Sequence, residues 1–132
     1  MNKEFISFIE KNKLIKPKDE ILLAVSGGVD SMVMLNLFSS CGYKFAVAHC
    51  NFSLRGVDSN TDEQLVVDVC KRMGVKLFTK LFHTEVYAHE HNISIQVAAR
   101  ELRYGWFKEL RDEHGYASVA IAHNKNDVAE TM

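Results

Sequence analysis

The segment Ser26-Gly27-Gly28-Val29-Asp30-Ser31 joins an apolar run over 21–25 to a helical apolar pattern through Met32, Val33, Leu35, Leu37 and Phe38. Its chemistry follows from that placement. Two adjacent glycines let the backbone turn tightly and bring its N–H groups close to a phosphate, while a helix start adds unpaired donors and the positive end of its dipole. Ser26 and Ser31 add hydroxyls. Asp30 would repel a bare phosphate, so its place in such a site is to hold Mg2+ that bridges phosphate oxygens. Without a ligand, the same residues are a strand-turn-helix in which Asp30 merely caps. Position favours the anion site, because open α/β sheets bind ligands at the carboxyl ends of their strands. Neither GxxxxGK[ST] nor GxGxxG occurs, which disfavours kinase-type and dinucleotide-type loops.

Further polar residues fall at the same edge. His49, Asn51 and Arg55 follow the apolar run 45–48, and His123 follows the run 117–122. The planar fork of Arg55 suits a phosphate or a carboxylate. Arg100 and Arg103, three apart on one helix face beside Tyr104, can reach phosphate or RNA; their plainer role is a charged face paired with Glu101 or Glu109. Asp127 and Glu130 are likewise three apart and share a face of an expected next helix, where they either serve the site or complement the helix dipole.

The elements that must position these residues alternate. Runs 21–25, 45–48, 75–82 and 117–122 read as strands. Between them lie a helix ending at Gly42, a helix opened by a Thr61/Gln64 capping box and ended at Gly74, and a long helix with Ile95, Ala98, Ala99, Leu102, Trp106 and Leu110 on one stripe, closed by Gly115. Phe5, Phe8 and Ile9 predict a short helix ahead of Pro17. The pattern is an α/β fold: a doubly wound, mostly parallel sheet of four strands with helices on both faces. At 132 residues the chain forms one domain, and its end at Met132 reads as a cut one turn into the next helix.

Composition narrows the class. With 47% apolar and 25% charged residues the chain is globular, and no apolar run approaches the roughly 20 residues of a membrane helix, so no membrane partner and a cytoplasmic location are expected. Cys41, Cys50 and Cys70 form no CxxC pair, which suggests neither a disulfide framework nor a zinc site. A net charge of -1 gives no basic footprint for a self-sufficient nucleic-acid binder.

The 26–31 loop resembles the SGGxDS signature of the PP-loop ATP pyrophosphatases, Rossmann-like enzymes that adenylate a substrate oxygen and release pyrophosphate. The landmarks His49-Cys50-Asn51-Phe52-Ser53-Leu54-Arg55-Gly56, Asp62-Glu63, Ala99-Arg100-Glu101-Leu102-Arg103-Tyr104 and Ala122-His123-Asn124-Lys125-Asn126-Asp127-Val128-Ala129-Glu130-Thr131 are similar, in order and spacing, to those of the tRNA(Ile)-lysidine synthetases. Asn124 and Asn126 depart from that pattern, where the family often has a second His and a first acid. The resemblance implies an N-terminal catalytic domain that uses ATP, Mg2+, L-lysine and tRNA(Ile) to make lysidine. It implies catalytic roles for Asp30, Arg103 and Asp127, with Asp30 and Asp127 on the metal. ATP is implied to sit on Ser26, Gly27, Gly28, Val29, Asp30 and Ser31. Substrate contacts are implied for His49, Asn51, Arg55, Arg100, His123 and Glu130. The grip on tRNA would come mostly from sequence beyond this chain, so the chain alone is expected to be inactive. A tRNA thiolase and a nucleotide-binding module without catalysis are the rival readings.

Overall fold

A computed structural model describes residues 20–54, 59–121 and 130–131. The expected helix around Phe5, Phe8 and Ile9 lies outside them, as do Arg55, His123 and Asp127. Strand β1 (Glu20–Ala24) leads through the loop into helix α1 (Val29–Ser40), strand β2 (Lys44–Asn51), helix α2 (Ser59–Met73) and strand β3 (Leu77–Leu81). Helices α3 (Thr84–Glu90) and α4 (Ile95–His114), then strands β4 (Ser118–Ile121) and β5 (Glu130–Thr131), complete the order.

The sheet runs β3-β2-β1-β4-β5, with β1 to β4 parallel and β5 antiparallel to β4. Winding proceeds outward from β1 to β3, then crosses back to β4 on the far side of β1. Chain direction therefore diverges between β1 and β4, and the crevice at their carboxyl ends is the switch point where such sheets take ligands. β1 lies between β2 and β4 and is buried on both faces. Ile21, Leu23 and Val25 pack with Met34, Leu35 and Phe38 of α1 and Val66, Val69 and Cys70 of α2. Leu22 and Ala24 pack on the other face with Trp106, Phe107 and Leu110 of α4. Helices on both faces make the sheet doubly wound, as expected. Among the described residues no helix is long and apolar enough to cross a membrane.

Local rules set the long helix. Ser94 Oγ accepts the Val97 N–H at 3.1 Å to open α4, and Gly115, at φ +74°, closes it in the left-handed region that a glycine adopts without strain. Two expectations need correction, and one helix had no reading from the sequence. In place of the helix expected over Glu130 there is strand β5, in which Glu130 pairs antiparallel with Ile121 and Thr131 with Ala120, so among the described residues the sheet has five strands and β4 is not its edge. Helix α2 begins at Ser59, ahead of the capping box. Asn60 Oδ1 accepts from Asn51 at 3.1 Å and holds the helix start early, and the Gln64 amide nitrogen donates forward to Asp68 at 2.8 Å. Helix α3, with seven residues, is too short to show an apolar stripe and was not foreseen.

Candidate functional site

The loop after β1 is held by its own serines. Ser31, almost wholly buried, accepts the N–H groups of Ser26 and Gly27 on its hydroxyl, each at 3.2 Å, and donates to the Gly28 carbonyl at 3.0 Å. A carbonyl only accepts, so the one Ser31 proton is spent there. In the 3.1 Å contact between the two hydroxyls the donor is therefore Ser26, whose oxygen in turn accepts the Gly28 N–H at 3.2 Å. These bonds spend the Ser26, Gly27 and Gly28 N–H groups on the loop's own hydroxyls and fix its shape, so an anion at the loop draws on the helix start beyond it or takes the place of a serine hydroxyl.

Two further features define the loop. Gly27, at φ +92°, lies so close to the first turns of α2 that a Cβ there would stand 3.0 Å from Asp62 Cβ and 3.2 Å from the Asp62 carbonyl. Gly28 is the N-cap of α1 and has no side-chain cap bond. The first N–H groups of α1 thus keep their donor capacity and the positive end of the dipole for a ligand. Val29 and Asp30 form its first two helical positions.

A cleft of about 240 Å³ opens at the switch point, lined by Ser26 and Ser31 of the loop, Ala24, Ala48 and Cys50 of the strands, Phe52, Ile121 and, from α4, Arg103 and Phe107. Arg103 is half-buried, its guanidinium 5.1 Å from the Tyr104 ring centroid, and its buried Nε has no hydrogen-bond partner among the described residues. A buried guanidinium N–H without an acceptor costs free energy until an anion supplies one. Cys50 lies within the field of Arg103 and Lys80, yet burial outweighs both and pushes its thiol up to about 12. It is a neutral thiol at physiological pH.

The sequence-selected residues divide. The cleft brings together Ser26, Ser31 and Arg103. Arg100 is exposed one turn away, its guanidinium 5.1 Å from the same Tyr104 ring, so the tyrosine has an arginine contact from each. His49 and Asn51, expected to touch substrate, are each 2% exposed and face the α1–α2 side, opposite to Ala48 and Cys50. Both bond within the protein: His49 Nδ1 to the Val25 carbonyl at 2.8 Å, and Asn51 to Asn60 and to the Ser53 N–H. A direct substrate contact by either is not what this geometry offers. Glu130 lies in strand β5 and not on a helix, and Asp127 lies outside the described residues. Sequence reasoning missed the apolar walls, Phe52, Phe107 and Ile121: Phe52 and Ile121 were marked only by their place at or beyond strand ends, and Phe107 lies beside the α4 stripe and not on it.

Residues 1–132 match the PP-loop domain family. The chain is 46% identical over 127 residues to a tRNA(Ile)-lysidine synthase of Bacteroides thetaiotaomicron, covering 96% of this chain and 30% of that protein. A second, from Chlorobaculum tepidum, is 41% identical over 134 residues, covering 98% and 40%. The chain thus spans about a third of the length of these curated relatives. Among solved structures, the NH3-dependent NAD synthetase of Campylobacter jejuni, in complex with the nitrate ion, superposes with a TM-score of 0.60 at 10% identity over 89% of this chain and 53% of that one. That likeness is one of fold. With its strand-loop-helix at the switch point and the whole of its length matched, the chain belongs to the PP-loop family.

Proposed function

We propose that residues 1–132 form the ATP-binding catalytic domain of a ligase that joins L-lysine to C2 of the wobble cytidine of tRNA(Ile). The observation that carries the reading is the half-buried Arg103, its Nε unpartnered, lining one cleft with Ser26 and Ser31 below an uncapped helix start. The relatives' names supply the substrate class. ATP lies with its adenine between the apolar walls and its β and γ phosphates on the 26–31 loop. The C2 oxygen of the cytidine attacks the α-phosphorus, and the bond to the β-phosphate oxygen breaks. Pyrophosphate leaves onto the 26–31 loop and the helix start behind it, and the lysine amine then displaces AMP from C2, losing its proton to solvent or a base. Loop donors, the α1 dipole and Arg103 neutralise the charge that builds on the departing phosphates.

Mg2+ is the ion assigned to this site, held jointly by carboxylates and phosphate oxygens. Mg2+ commonly takes one or two carboxylates plus substrate phosphates. Asp30 and Asp127 are the carboxylates assigned to it, and it would lower the charge on the pyrophosphate. Arg55, Arg100, His123 and Glu130 are assigned to tRNA and lysine.

The thiolase reading needs a thiolate at the cleft, and Cys50 at about 12 does not supply one near neutral pH. Titration of ATP and of pyrophosphate into the chain, with Mg2+, tests the site: both should bind, and both more weakly to Arg103→Gln. If neither binds, the reading fails. Pyrophosphate release that depends on tRNA and lysine separates the ligase from a nucleotide-sensing module.

A further inference from the structure

His49 is buried in β2, on the face turned away from the cleft, yet it bonds the residue from which the phosphate loop departs. Val25 is clamped twice by β2: its N–H donates to the Ala48 carbonyl at 3.0 Å, and its own carbonyl meets His49 Nδ1 at 2.8 Å. A carbonyl has no proton to give, so Nδ1 carries the hydrogen and, in the neutral ring, Nε2 is the bare acceptor. That acceptor is buried with no partner among the described residues. The ring is therefore held by one bond, and that bond ends on the loop. Gly27 is pressed against Asp62 on the same side of the sheet, and Asn51, also on this face, ties β2 to the start of α2 through Asn60.

We infer that His49 is a positioning residue for the phosphate loop, acting through the Val25 carbonyl to fix the plane of the Val25–Ser26 peptide, and with it the Ser26–Ser31 bond that shapes the loop, and making no contact with nucleotide. The inference rests on the reading of the 26–31 loop as the phosphate site. With the bond gone, the Val25–Ser26 peptide is held on one side only, by the Ser26 N–H on Ser31, and the loop loses half of what fixes its plane. Ligands that use the loop lose affinity, whereas AMP, whose adenine and ribose use the apolar walls, loses little.

The test compares His49→Leu, which removes the donor, with His49→Asn, whose amide nitrogen overlies Nδ1 and restores it. ATP, pyrophosphate and AMP are titrated into each protein, and amide hydrogen exchange is followed over residues 25–31. One neutral hydrogen bond corresponds to about five- to tenfold. We expect His49→Leu to lose about that much affinity for ATP and pyrophosphate, to keep AMP within about twofold and to exchange faster across the loop; His49→Asn should behave as the parent. Unchanged loop exchange in His49→Leu would overturn the inference, as would an equal loss for ATP and AMP. If the parent binds no nucleotide while loop exchange still follows the residue at 49, the positioning stands and the phosphate-site reading falls. Should His49→Leu not fold, His49→Gln replaces it: its amide overlies Nε2, leaves Val25 unbonded and should show the same losses.

Discussion

Gly27 offers the sharpest test of how the loop is built. Replacing it with alanine places a methyl 3.0 Å from Asp62 Cβ, 3.2 Å from the Asp62 carbonyl and 3.3 Å from its Cα, at a residue whose φ is +92°. Most of what it meets is the α2 backbone, which cannot swing aside as a flexible side-chain end would. A left-handed non-glycine residue costs about 1–2 kcal/mol, and overpacking against fixed atoms costs about 1–3 kcal/mol. Strain that the loop relieves by moving is counted once, so a destabilisation of about 2–4 kcal/mol is expected. For a chain of 132 residues that corresponds to a fall in Tm of roughly 7–14 °C. The control is Gly28→Ala: Gly28 has φ -75° and meets only Ser26 Oγ, at 3.4 Å, so its stability should stay within about 1 kcal/mol of the parent while the added methyl at the loop mouth weakens ATP binding. Thermal melts and ATP titrations of both variants give the answer. If Gly27→Ala melts within about 2 °C of the parent and binds ATP as well, the loop is not braced by α2 and the packing argument is wrong.

Other perturbations follow from the same geometry. Arg103→Gln should weaken ATP binding by about tenfold or more, the range for a hydrogen bond to a charged group, with Tm unchanged or raised because a buried unpartnered N–H has gone; calorimetric titration and a melt read both. Asp30→Ala should abolish ATP-dependent pyrophosphate release in the complete enzyme yet lower Tm by no more than about 4 °C, since an acid in the first turn of α1 contributes about 0.3–1 kcal/mol through the dipole; release at the parental rate would exclude the metal role. For Cys50, the folded thiol is raised from 9.0 to about 12. The stability linked to it is complete below pH 9 and lost as pH rises toward 12, by up to about 4 kcal/mol, so urea midpoints of the parent should fall more steeply over that window than those of Cys50→Ala. Parallel slopes would show that the thiol is not buried as described.

What the sequence revealed, and what it hid, has a physical pattern. The strand, loop and helix from Ile21 to Phe38 were legible because a five-residue apolar run, paired glycines and a helical stripe are all local signals. Gly115 was legible for the same reason, as one left-handed residue closing a long helix. The start of α2 was not, because it depends on a bond from Asn51 to Asn60 across the end of β2. β5 was not, because an antiparallel pairing of Glu130 with Ile121 is a contact between two chain segments and leaves no periodicity in either. Asp127 and Arg55 were read from spacing and resemblance, and their place in the site is a matter for the experiments above.

The division of β2 explains why residues near a ligand edge need not touch the ligand. In a strand covered on one face only, alternation of apolar and polar residues tells which side chains face inward. β2 is covered on both faces, so Phe45-Ala46-Val47-Ala48 is apolar throughout and carries no such mark. Parity then decides function without showing in composition. Ala48 and Cys50 fall on the cleft face, and His49 and Asn51 fall behind the sheet, against α1 and α2. Moving His49 into the cleft would require a one-residue slip of β2, which would turn its whole apolar set to the wrong faces. A histidine two residues from the strand end therefore reads, by position, as a ligand contact, and acts, by parity, on the loop that makes the contact.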